Sequence, residues 1–211
     1  MFSSINRLVK SLGKRMKEPL PGSSAHLLTK VQSEIKFNFP YSSENPKKAS
    51  VLILLFPESE NIHFFLTQRT LSVEHHKGQI SLPGGTCEKN EQTINTALRE
   101  TEEEIGVNKN EIEIIGELTP FFTPASGFIV HPFIGWCDKR PKTNIQVDEV
   151  QNLFSASLSQ LLNNQIFESE NWNLRGCQAK VPFYNFDGYK VWGVTAAILS
   201  EFKFILKDII N

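Results

Sequence analysis

Glu100, Glu103 and Glu104 lie inside the run Arg-Glu-Thr-Glu-Glu-Glu-Ile-Gly at 99–106. At about 100° per residue, a helix entered near Gln92 brings these three carboxylates to one side. Offsets of three and four residues make neighbours on a helix surface, whereas Glu102 points elsewhere. Ile94, Ala97, Leu98, Thr101 and Ile105 form the adjoining core face. Like charges at i and i+4 cost a few tenths of a kcal/mol, roughly, and no lysine follows at i+4 to neutralise them. A divalent cation reverses the sign of that cost, and an all-oxygen donor set suits Mg²⁺ or Mn²⁺. Arg99 is placed to bond a carboxylate and fix its rotamer. Gly84-Gly85, just upstream, lets backbone approach a ligand closely. From the residues alone, a metal site and a solvated acidic face both stay open.

The elements that must position these groups are legible from periodicity. The segment 49–57, Ala-Ser-Val-Leu-Ile-Leu-Leu-Phe-Pro, reads as a buried strand, and 62–69 as a second one joined to it by a short turn. Residues 70–84 look irregular. The glutamate helix spans 92–105, and 111–118 and 128–137 read as strands. Residues 150–162 suggest a short helix or turn region. The stretch 179–193 reads as a hairpin with Asp187-Gly188 at its turn. A final helix at 194–210 places Val194, Ile198, Phe202, Ile205 and Ile209 on one face. Helices and strands alternate without a regular βαβ period, which predicts an α/β (α+β) chain with a mixed sheet between helices.

The chain has 211 residues, 40% of them hydrophobic, which supports one sizeable core. A formal net charge of −1 gives no basic footprint for nucleic acid. No apolar run reaches the roughly 18 residues of a membrane span. Cys87, Cys137 and Cys177 make an odd set without a Cys-x-x-Cys pair, which fits a reducing, cytoplasmic setting. Residues 1–22 form an amphipathic helix carrying Arg7, Lys10, Lys14, Arg15 and Lys17. A targeting peptide or membrane-surface helix has this composition, and so has a helix docked on its own domain, which is the reading preferred here. Residues 23–211 would then make the main domain.

Gly85, Glu91, Arg99-Glu100, Glu103-Glu104, Gly106 and Val107 resemble the signature of the Nudix hydrolases, with Thr101 where an aliphatic residue is usual. The resemblance implies a Nudix-type α/β/α sandwich with a mixed sheet and an N-terminal helix. It also implies a site for two or more Mg²⁺ or Mn²⁺ ions. Glu100, Glu103, Glu104 and the Gly85 carbonyl would be their ligands, Arg99 would orient a glutamate, and Glu91 would be structural. The substrate class would be a nucleoside diphosphate linked to a second group. The general base would be Glu100, or Glu149 in the segment Val-Asp-Glu-Val.

Upstream, Thr67, Arg69, Gly78 and Pro83-Gly84-Gly85 are similar to the second signature of the coenzyme A pyrophosphatase branch. Thr70, Glu74 and Leu82 depart from it. Glu74 replaces an arginine, and His75, His76 and Lys77 stand nearby to supply charge. The similarity implies hydrolysis of coenzyme A or acyl-coenzyme A by a cytoplasmic enzyme. Arg69, His76, Lys77, Gly84 and Phe128 would contact the substrate, and a homodimer stays open. Other nucleoside diphosphate derivatives, or a non-catalytic nucleotide sensor, are the alternatives.

Overall fold

The structure is a computed structural model that describes residues 2–35, 37–70 and 78–210, with side chains from residue 5. In chain order it contains α1 (Phe2–Arg15), α2 (Ser23–His26), β1 (Gln32–Ser33), β2 (Lys47–Glu58), β3 (Asn61–Arg69), β4 (Ile80–Ser81) and β5 (Gly84–Thr86). Then follow α3 (Thr93–Ile105), β6 (Glu113–Glu117), β7 (Phe121–Thr123), β8 (Phe128–Trp136), β9 (Val150–Ser157) and α4 (Leu158–Leu162). The chain closes with β10 (Phe167–Leu174), β11 (Cys177–Phe186), β12 (Tyr189–Trp192) and α5 (Gly193–Ile210).

The larger sheet runs β4-β3-β2-β8-β6, with β9 on β3, β5 on β2 and β7 on β8. β2 and β8 pair in parallel while β2 and β3 form an antiparallel hairpin, so the sheet is mixed. β2 is central because its apolar run has no polar side: Leu52, Ile53, Leu54, Leu55 and Phe56 are all buried. Alternation sends Leu52, Leu54 and Phe56 to one face, where they meet Ala97 and Ile105 of α3. Ile53 and Leu55 go to the other, where they join Ile198, Phe202 and Leu206 of α5 and Leu12 of α1. These three layers are the α/β/α sandwich with an N-terminal helix. β11 lies centrally in a second sheet, flanked by β1 and β10 and continued by β12.

One local reading changes, and the structure adds to it at β10 and α5. Residues 150–157 are strand rather than helix or turn. They pair with β3 from His63 to Arg69, and only 158–162 are helical, opened by a Ser157–Gln160 capping box. β10 carries too little apolar alternation to announce itself; its pairing with β11 defines it. α5 is buried on more than one face, with Ala196, Ala197, Leu199, Ser200 and Glu201 enclosed as well as Ile198 and Phe202. The 187–188 turn holds: Asp187 and Gly188 both have positive φ, as a tight hairpin turn requires.

Glu201 has no exposed surface. It accepts from the Gly22 amide at 3.0 Å, the Thr119 hydroxyl at 2.6 Å and the Thr119 amide at 3.2 Å. His26 Nε2 lies 3.0 Å from it. Burial raises the carboxyl pKa, but the bonds from His26, Thr119 and Gly22 outweigh it and the net shift is downward. The group thereby locks the segment after α1 onto α5. Met16, just past α1, packs over Gly116 of β6.

Candidate active site

α3 is entered at Gln92 and left at Gly106, whose φ of 72° is the left-handed C-cap that glycine adopts without strain. Its last turn contains no basic residue, so Glu102, Glu103 and Glu104 sit at the negative end of the helix dipole. Thr101 occupies the core face as its phase requires, fully buried. Its hydroxyl is satisfied by donating to the Ala97 carbonyl at 2.7 Å. That bond explains how a polar residue stands where an aliphatic one is usual.

Arg99 organises the near end of the site. Its Nε and Nη2 grip both oxygens of Glu91, at 2.9 and 3.0 Å. Its Nη1 donates to Glu100 and to Glu103, each at 2.9 Å. Nη2 also reaches the Thr86 carbonyl at 3.2 Å, tying the helix to the glycine loop. The bidentate guanidinium holds the Glu91 carboxyl at about 2. Glu91 takes further bonds from the Thr96 hydroxyl and the Glu88 amide. It is therefore a clamp on Arg99, in keeping with the structural role expected of it.

Glu104 is different. Only 3% exposed, it accepts from the Gly84 amide at 3.1 Å and from Arg69 Nη1 at 3.3 Å. Burial, and then the charges of Glu100 and Glu149, push its pKa up to about 7, against the pull of Gly84 and Arg69. Glu100 is raised too, first by burial and then by Glu103 and Glu149, with Arg99 opposing. Glu149 thus belongs electrostatically to the same group, although 45 residues of chain separate it from Glu104. Glu103 is the outermost member, with its side chain 58% exposed. Glu102 lies apart and pairs with Lys109 at 2.9 Å.

The two glycines are required by close packing. A Cβ on Gly84 would run into the Ser50 carbonyl and Val51, and one on Gly85 would overlap the Glu100 carboxylate. The Gly85 backbone therefore lies directly against Glu100. Arg69 and Gly84 both meet Glu104, so the two upstream signature segments and the helix converge on one carboxyl. Phe128 does not join them: it packs with the cluster on the α5 side of the sheet, under Lys47. Phe121 lies edge-on to His26 at 5.1 Å. His76 and Lys77, with Glu74, fall outside the described residues.

Among the described residues, no three His, Cys, Asp or Glu side chains are gathered at ligating distance. Arg99 Nη1 holds both Glu100 and Glu103. The donor chemistry nevertheless fits a hard divalent cation. A carboxyl whose pKa is raised by burial, and further by two neighbouring acids, is relieved by added positive charge, and the candidate ligand groups all offer oxygen. Glu100, Glu103, Glu104 and the Gly85 carbonyl are the groups that would hold it. Sequence reasoning missed that Arg69 bonds Glu104 and that Glu201 anchors the N-terminal segment. A lone glutamate inside an apolar helical run was the only available signal for the second.

Comparison with known proteins agrees with this geometry. A NUDIX domain model matches residues 46–174, more than half of the chain. The chain is 30% identical over 160 residues to the uncharacterized Nudix hydrolase NudL of Photorhabdus laumondii, covering 75% of this chain and 84% of that one. It is 32% identical over 162 residues to Nudix hydrolase 22, chloroplastic, of Arabidopsis thaliana. That match covers 73% of this chain but spans only about half, 53%, of the plant protein. A MutT/nudix family protein from Enterococcus faecalis shares the fold, with a TM-score of 0.52 and 19% identity over 81% of this chain and 66% of that one. With the signature helix, the glycine loop and the matched domain coinciding, the chain belongs to the Nudix family of hydrolases, the pyrophosphohydrolases.

Proposed function

We propose that this Nudix hydrolase cleaves the diphosphate of coenzyme A or an acyl-coenzyme A, giving adenosine 3′,5′-bisphosphate and (acyl-)4′-phosphopantetheine. The observation that carries the reading is the contact of Arg69 with Glu104. The segment Thr67–Gly85, which resembles the coenzyme A pyrophosphatase branch, ends in the same cluster as the hydrolase helix. Mg²⁺ or Mn²⁺, two ions or more, would be held by Glu100, Glu103, Glu104 and the Gly85 carbonyl. Such ions neutralise a diphosphate and acidify water.

The chain's own groups supply the rest. Glu100 and Glu149 are the two carboxylates able to take a proton from the attacking water. Glu91 holds Arg99, and Arg99 holds the Glu100 carboxylate in one orientation. Arg69 offers a cation to the substrate phosphates beside the Gly84 backbone. His76 and Lys77 are proposed to meet the additional phosphate of coenzyme A. The three free cysteines suit the cytoplasm. No described helix is long and apolar enough to cross a membrane.

A second reading, another nucleoside diphosphate derivative, draws on Glu74 and Leu82, which stand where the coenzyme A branch has arginine and phenylalanine. One assay separates the readings. The protein is incubated with Mg²⁺ or Mn²⁺ and coenzyme A, acetyl-coenzyme A, a nucleotide sugar and a dinucleoside polyphosphate, and products are resolved by chromatography. Adenosine 3′,5′-bisphosphate from coenzyme A supports the proposal. Turnover confined to another diphosphate overturns it, and binding without turnover of any of them identifies a sensor.

A further inference from the structure

Residues 140–149 cross the exposed end of α3. The Asn144 amide donates to the Ile105 carbonyl and the Gln146 amide to the Glu104 carbonyl, each at 2.9 Å. Two of the carbonyls that a helix C-terminus leaves without intrahelical donors are thus capped by this strap, one of them belonging to Glu104 itself. The far end is pinned by buried Pro141 and by Arg140, which pairs with Glu58 and lies 5.6 and 5.9 Å from the Phe56 and Phe65 rings. At the near end, the Glu149 and Val150 amides donate back to the Gln146 carbonyl. Thr70, just past β3, donates to the Asp148 carbonyl from its hydroxyl and to the Glu149 carbonyl from its amide, each at 2.9 Å.

The contact that permits the crossing is at Gly106. A Cβ there would stand 2.7 Å from the Asn144 carbonyl oxygen and 2.8 Å from its nitrogen. Both are backbone atoms, and they cannot swing aside as the end of a side chain does. Any residue larger than glycine lifts the strap off the helix end, two residues from Gln146, on whose carbonyl the Glu149 turn closes.

We propose that Gly106 is a positioning residue for Glu149: its bare Cα lets the strap dock on α3 and so sets the Glu149 carboxylate against Glu100 and Glu104. This rests on the reading that Glu149 takes part in hydrolysis. A displacement of about 1 Å is enough to lower a rate on the order of 100-fold.

The test is a double-mutant cycle in kcat and KM with Gly106→Ala and Glu149→Gln, read beside hydrogen exchange of the Asn144 and Gln146 amides. Gly106→Asn is the companion variant, because asparagine accepts positive φ but brings a Cβ. Tenfold or greater loss of kcat is expected in each Gly106 variant, with KM little changed. The Gly106→Ala, Glu149→Gln double variant should be no slower than Glu149→Gln alone. Both strap amides should exchange faster in the Gly106 variants while the middle of α3 stays protected. Losses that multiply, or strap amides that exchange at the wild-type rate, overturn the proposal. A wild-type rate in Glu149→Gln overturns it by removing the role of Glu149, an outcome distinct from multiplied losses.

Discussion

Removing the charge of Glu104 should make the metal-free protein more stable at neutral and alkaline pH. In the fold this carboxyl is buried beside Glu100 and Glu149, and its pKa stands at about 7 instead of the ordinary 4.5. A group whose folded pKa lies above its unfolded one stabilises fully below the unfolded value, and that contribution is lost as pH rises through the folded value. The window therefore runs from about pH 4.5 to just above pH 7. At about 1.4 kcal/mol per pKa unit, the whole effect is about 3 kcal/mol. For a chain of this size that corresponds to roughly 6–12 °C in Tm. Glu104→Gln keeps an acceptor for the Gly84 amide and cannot ionise. Thermal melts in EDTA at pH 5.5 and pH 8 should show wild-type protein losing several degrees more than the variant. Excess Mg²⁺ should restore wild-type Tm at pH 8, by about 2.7 kcal/mol at a hundredfold excess over Kd. Parallel pH profiles for wild type and Glu104→Gln in EDTA would refute the burial argument.

Arg99→Lys should fail to substitute for Arg99, since a lysine cannot hold both Glu91 oxygens and still reach Glu100 and Glu103. A stability loss of about 2 kcal/mol and at least tenfold lower kcat/KM are expected, by denaturant melts and steady-state kinetics. Glu201→Ala strands the Gly22 and Thr119 amides, the Thr119 hydroxyl and His26. It should cost about 3 kcal/mol, or more, in urea unfolding. The lowered pKa of Glu201 predicts that its contribution is present above the ordinary carboxylate range and disappears as pH falls below it. Glu102→Gln touches only the exposed pair with Lys109. It should leave kcat unchanged and the urea unfolding midpoint close to that of the wild type.

What the sequence discloses and what it hides divide along physical lines. The signature spacing and the continuous apolar run of β2 are local patterns, and they locate α3, the glycine loop and the central strand to within a residue or two. Thr101 and Glu102 could also be placed correctly, because helical phase is a local property. β9 is hidden because its residues become strand only through a partner far along the chain, β3, and β10 because its mostly polar residues become strand only by pairing with the next strand, β11. The bond between Arg69 and Glu104 joins positions 35 apart, and the approach of Glu149 depends on a strap with no periodicity at all. Phase also misjudges exposure within the glutamate face. It places Glu103 and Glu104 together, yet Glu104 is enclosed by the glycine loop and β3 while Glu103 remains at the rim.

The claim on which the account turns is that this carboxylate crowd is a cation site. Mn²⁺ titration followed by the electron paramagnetic resonance of free Mn²⁺ tests it without any assumption about substrate. Wild-type protein should remove Mn²⁺ from solution at pH 7.5, and Glu103→Gln and Glu104→Gln should each weaken binding tenfold or more, while Glu102→Gln binds as wild type does. Equal binding by all four proteins, or none by wild type, would contradict it.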